Sequence, residues 1–223
     1  MGKQRARSAQ QKDKRRIVLL RAAQDLFEQM SYETVTMAHI AEMAGLAKGT
    51  VFFYFKTKEE LFLALKQQLL QEWFEEAETK LSQMTPGSSI QSVATLLAHS
   101  LGEHPTLLRL FALLHTTLEN NVEYETLWHF KFWMQTQMRS LGMLLEHCLP
   151  FLEPGQGIHV LLLMEALFIG LHQLASPKPI ASQVLQAPEM QMFHIDFVNE
   201  FVRTLTTFLR GLEREAGEKQ KQR

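Results

Sequence analysis

The stretch from Thr36 to Leu61, TMAHIAEMAGLAKGTVFFYFKTKEEL, limits what this chain can fold into more than any other. Ile40, Ala41 and Ala44 place apolar side chains on one face of a short helix. Thr36 stands before it as an N-cap, its hydroxyl able to accept a backbone N–H bond. Gly45 follows the helix, where a left-handed backbone would stop it, and Leu46 supplies a small apolar plug. A second helix then starts small, at Lys48-Gly49-Thr50, and ends in the aromatics Phe52-Phe53-Tyr54-Phe55. Small residues let that end of a helix approach DNA closely, while the aromatics pack behind it or lie against the backbone. The pattern is that of a helix-turn-helix whose second helix would enter a major groove.

The flanks fit a small head around this motif. Leu19, Ala22, Ala23, Leu26, Phe27 and Met30 form one helical stripe, so residues 17–30 should brace the motif. Residues 1–58 carry eleven Lys/Arg against five Asp/Glu, whereas residues 59–223 carry twelve against nineteen. Only the first part is suited to a polyanion. Lys3, Arg5, Arg7, Lys12, Lys14, Arg15 and Arg16 crowd residues 1–16, which read either as a solvated tail or as an arm that supplements DNA binding. No apolar run marks this segment as a signal peptide.

The remainder reads as helices alone. Thr57 should cap a long helix from Lys58 to about Met84, with Glu60 completing a capping box. Lys58 sits in its first turn, where a positive charge is unfavourable, and a nearby phosphate would offset this. Helices follow at 90–101, 104–118 and 124–149. Residues 158–175 are nearly all apolar and long enough to span a membrane. His159, Glu165, His172 and Gln173 favour instead a helix buried on most sides of a soluble assembly. Residues 176–192, with Pro177, Pro179 and Pro188, should form a long loop before a last helix over 191–214 and a frayed charged tail.

Enzymatic chemistry finds no support. There is no phosphate-binding glycine loop, no nucleophile elbow and no recognised metal-ligand spacing, so no catalytic residue, metal or cofactor is expected. The single cysteine, Cys148, excludes an internal disulfide, fits a reducing cytosol and reads best as a small buried hydrophobe.

The run IAEMAGLAKGTVFFYFKTKEEL resembles the DNA-binding signature of the tetracycline-repressor (TetR) family, usually close to IAxxAGVSKGTLYxYFxxKxxL. The resemblance covers roughly residues 12 to 62; beyond it only helical character and length agree. Ala47 stands where the family usually has Ser, and Phe52 where it usually has Tyr. The resemblance implies an all-α chain with a three-helix DNA-binding head at 1–58 and a ligand-binding and dimerisation body at 59–223. It implies a cytoplasmic, homodimeric regulator, released from a palindromic operator by a small apolar or amphipathic effector. Thr50, Phe53 and Tyr54 would face the DNA, Thr36, Lys48 and Lys58 would contact phosphates, and Gly49 would allow close approach.

Two further expectations concern the body. Phe111, His115, Trp128, Phe132, Trp133 and Met134 could line an effector cavity, or could be plain core. Leu162, Ala166, Ile169 and Gly170 of one helix, with Phe197, Phe201, Leu205 and Phe208 of the last, should form a four-helix interface between two copies. The rival reading is a helical protein-interaction module whose motif no longer binds DNA.

Overall fold

The computed structural model describes the backbone of residues 2–222 and the side chains of residues 11–222. Every regular element among the described residues is helical. The chain divides into two units, one of residues 1–70 and 109–130, the other of residues 71–108 and 131–223.

The first unit begins with α1 (Gly2–Gln29), which is far longer than its apolar stripe. The basic segment, which the sequence left open between a tail and a DNA-binding arm, continues the helix. Its Lys, Arg, Gln and Ala are strong helix formers, and they extend a helix already nucleated by the packed stripe. The side chains of Lys3, Arg5 and Arg7 lie outside the described residues. Leu19, Ala23 and Phe27 are buried on α1 against a core that includes Val35, Ile40, Val51, Leu61 and Leu65. Phe62 stacks edge-on against both Phe27 and Tyr32, at 5.4 and 4.9 Å between ring centroids. Packing of this kind adds about 1 kcal/mol per ring pair beyond burial.

This unit also holds the first half of α4 (Lys58–Ser82), the end of α6 (Pro105–Leu113), a π-helical turn at Leu114–Leu118 and the start of α7 (Tyr124–Cys148). Thr57 caps α4 as expected, accepting the Glu60 N–H at 3.1 Å and donating to the Asn121 carbonyl at 2.8 Å. The Glu60 carboxylate reaches back to the N–H of Lys56 rather than to that of Thr57. Arg109 stacks its guanidinium 4.0 Å from the centre of the Phe27 ring and donates to the Met30 carbonyl. Lys56 pairs with Glu123, and Asn121 donates to Glu59. These bonds hold residues 109–130 within the first unit.

The second unit contains the rest of α4, α5 (Ile90–Gly102), the start of α6, most of α7, α8 (Gln156–Ala175), α9 (Pro179–Leu185), a 3-10 turn at Pro188–Phe193 and α10 (Phe197–Lys221). The α7–α8 crossing depends on glycine: a Cβ on Gly157 would lie 2.2 Å from the Gly142 carbonyl oxygen. The carboxylate of Glu146 accepts the N–H groups of Gly155 and Gly157 at 2.8 and 2.9 Å, satisfying donors that the start of α8 leaves open. The loop expected over 176–192 is largely helical. Pro179 and Pro188 stand in the first turns of short helices, where a missing N–H costs nothing. Asp196 caps α10, which therefore starts later than expected and runs on to Lys221.

Candidate nucleic-acid interface

The motif forms from its caps. The Thr36 hydroxyl accepts the His39 N–H at 3.2 Å to open α2 (Met37–Met43). Gly45, at φ 64°, closes it: the Gly45 N–H reaches the Glu42 carbonyl and the Leu46 N–H the Ala41 carbonyl. This paired arrangement needs a left-handed residue, which glycine adopts without strain. The helix α3 (Lys48–Tyr54) opens at Ala47 without a side-chain cap, as the departure from Ser implies. It is held instead by Val51, which is wholly buried, and by Phe55, whose N–H closes the helix onto the Val51 carbonyl.

With Val51 inward, the opposite face of α3 is open. Lys48 and Gly49 are exposed, Thr50 and Tyr54 half-buried. Phe52 and Phe53 are 44% and 72% exposed. A Cβ at Gly49 would meet nothing within 4 Å, so no neighbour in the chain demands glycine there. Two cations flank these aromatics, Lys48 at 6.0 Å from the Phe52 ring centre and Lys12 at 5.8 Å from that of Phe53, while Arg16 lies 5.2 Å from the ring centre of buried Phe55. Lys12 and Arg16 are one helical turn apart on α1, a spacing visible in the sequence once that segment is read as helix.

Lys58, half-buried, is engaged within the chain, where the sequence suggested a phosphate contact. Its ammonium donates to the carbonyls of Tyr32 and Val35 at 2.8 and 3.0 Å and sits 4.0 Å above the centre of the Tyr32 ring. Burial lowers its pKa below the usual lysine value. The first-turn charge that the sequence left unexplained is offset by two carbonyls of the α1–α2 connection. Thr36 has its oxygen committed to capping and retains its O–H for donation.

The six residues proposed for an effector cavity differ in burial and partners. Phe111 is buried beneath the Lys66 ammonium, 3.8 Å from its ring centre. His115 pairs with Glu119. Trp128 and Phe132 are 45% and 55% exposed on α7, Met134 is half-buried, and the Trp133 indole donates to Gln71.

The proposed interface residues also divide. Leu162, Ala166 and Gly170 are exposed on α8, and Ile169 is half-buried. Phe201 and Leu205, by contrast, are buried within a single chain, and this corrects their assignment to the interface. Phe201 packs on Phe168 and Phe197, while α10 lies against α5 and α8. Phe197 and Phe208 are half-buried. The helix α8 is long and apolar enough to cross a membrane by length and composition alone, yet it buries Val160, Leu161, Met164 and Phe168 in the core.

Residues 19–65 match the family of bacterial regulatory proteins of the TetR type, and residues 67–216 match the tetracycline-repressor-like C-terminal domain. The chain belongs to the TetR family. Its relatives include the transcriptional regulator RutR of Escherichia coli strain K12, 30% identical over 95 residues, which are 43% of this chain and 45% of that protein. EthR of Mycolicibacterium smegmatis is 26% identical over 118 residues, or 52% of this chain and 53% of that one. The chain thus spans about half the length of the curated relatives it matches. Among solved structures, the regulator SCO7518 of Streptomyces coelicolor A3(2) superposes with a TM-score of 0.54 at 18% identity, covering 86% of this chain and 96% of that one. The repressor AlkX of a Dietzia strain, implicated in n-alkane biodegradation, gives 0.53 at 17% identity, covering 89% and 96%. These superpositions speak for the fold.

Proposed function

We propose that this chain is a homodimeric transcriptional repressor that binds a two-fold symmetric operator through α3 and leaves it when a small apolar or amphipathic effector binds the body. The observation that carries the reading is the open face of α3, with Lys48, Gly49, Thr50, Phe53 and Tyr54 outward while Val51 is locked inside. Lys12 and Lys48 flank that face with positive charge, suited to phosphates beside a groove. Phe52, in place of the usual Tyr, removes a phenol but leaves this cationic rim in place.

Two heads require two chains. The apolar, exposed side of α8, with Leu162, Ala166 and Gly170, supports pairing with a second copy. An effector is supported by the family of the body and by the Trp73 indole. Trp73 is 3% exposed, and its N–H has no hydrogen-bond acceptor among the described residues. Such a buried donor costs about 1–3 kcal/mol, which an acceptor on a bound molecule would recover.

Selection of bound duplexes from a random DNA pool tests the reading. Enrichment of one palindromic site, bound by two protomers, supports it. A pool that stays random after repeated rounds overturns it.

A further inference from the structure

Phe53 is not part of the buried core of the chain. It is 72% exposed, its edge contact is with neighbouring Tyr54, and it stands on the outward face of α3 beside Phe52. A position that only met phosphates would favour a polar or basic residue. In the major groove, the one apolar group on a base edge is the 5-methyl of thymine, and apolar side chains read it by contact. We propose that Phe53 reads thymine methyl groups, so that each half-site of the operator carries at least one thymine recognised through its methyl and not through a hydrogen bond. The proposal rests on the DNA-binding reading above and deepens it.

The surroundings support this occupant over an apolar protein surface. Lys12 and Lys48 border the aromatic face, 5.8 and 6.0 Å from the Phe53 and Phe52 ring centres. An apolar centre with a cationic border matches a methyl-lined groove between two phosphate rows. A hydrophobic partner protein would leave those cations uncompensated.

The test uses the full-length protein and the operator obtained by selection. Each thymine of the half-site is replaced in turn by deoxyuridine, which lacks only the methyl. At one position or more, wild-type affinity should fall about fourfold per half-site, the value of burying one methyl group. Phe53→Ala should bind thymine and uracil operators equally, and Phe53→Leu should restore most of the discrimination. Circular-dichroism melting should show both variants folded, since the side chain is exposed. A selected operator indifferent to every uracil replacement would overturn the proposal while leaving the regulator reading standing, as would Phe53→Ala keeping the discrimination. An aromatic wedge between base steps would give that indifferent result. Failure to enrich any sequence would overturn both.

Discussion

The ammonium of Lys58 lies 4.0 Å above the centre of the Tyr32 ring and donates to the carbonyl of the same residue at 2.8 Å. A residue at the first turn of α4 thereby fixes the connection between α1 and α2. Lys58→Met should destabilise the head by about 1–2 kcal/mol, because two carbonyls lose a charged donor. Thermal unfolding checks this. The salt dependence of DNA binding should be unchanged, whereas loss of a phosphate contact would lower its slope by about one.

Tyr32 itself gives a pH signature. Burial, followed by its 2.7 Å bond to Glu59, raises its pKa well above the ordinary tyrosine value. The unfolded chain releases this proton near pH 10 while the folded one retains it. The stability that Tyr32 contributes is therefore complete below about pH 10 and is lost as pH rises further. Tyr32→Phe should flatten the alkaline limb of a melting-temperature profile, and an unaltered limb would remove Tyr32 from the account.

At the acid end the group to watch is Glu76. Burial alone would raise its pKa, but bonds from Lys80, His104 and Ser100 hold it below the ordinary glutamate value. Its contribution is present above about pH 4.3 and fades as pH falls through the folded value. Glu76→Gln should cost stability at neutral pH and make unfolding less steep in acid. Urea titrations at pH 7 and pH 4 measure the difference.

The two sets of proposed interface residues should behave differently. Phe201→Glu places a charge in a closed core and should cost upward of about 4 kcal/mol, giving an unfolded or aggregated chain. Leu162→Glu lies on the exposed side of α8 and should leave each chain folded while shifting sedimentation from dimer to monomer. A folded, monomeric Phe201→Glu would contradict the core assignment.

These contrasts show where the sequence was legible. Capping is local chemistry, so Thr36, Gly45 and Thr57 could be placed from the residues beside them. Burial partners are not local. The stripe containing Phe201 and Leu205 shows that one face of α10 is covered, and the same stripe suits α5 and α8 as well as a second copy. Residues 2–16 lack an apolar stripe and so resemble a tail, although their helix-forming composition lets them continue α1. The intrachain acceptors of Lys58, the carbonyls of Tyr32 and Val35, were not legible because they lie some two dozen residues earlier and carry no side-chain signal. The six body residues were chosen for aromatic density, which does not distinguish an exposed Phe132 from a buried Phe111.

The central claim is that α3 reads DNA as one of a symmetric pair, and fluorescence-anisotropy titration of the selected operator against a scrambled duplex tests it most directly. At physiological salt the operator should bind at least about a thousandfold more tightly, with two protomers per duplex. Thr50→Ala and Tyr54→Ala should weaken operator binding far more than scrambled binding, while Lys48→Ala should weaken both alike. Equal affinity for the two duplexes, or saturation at one protomer per duplex, would contradict the account.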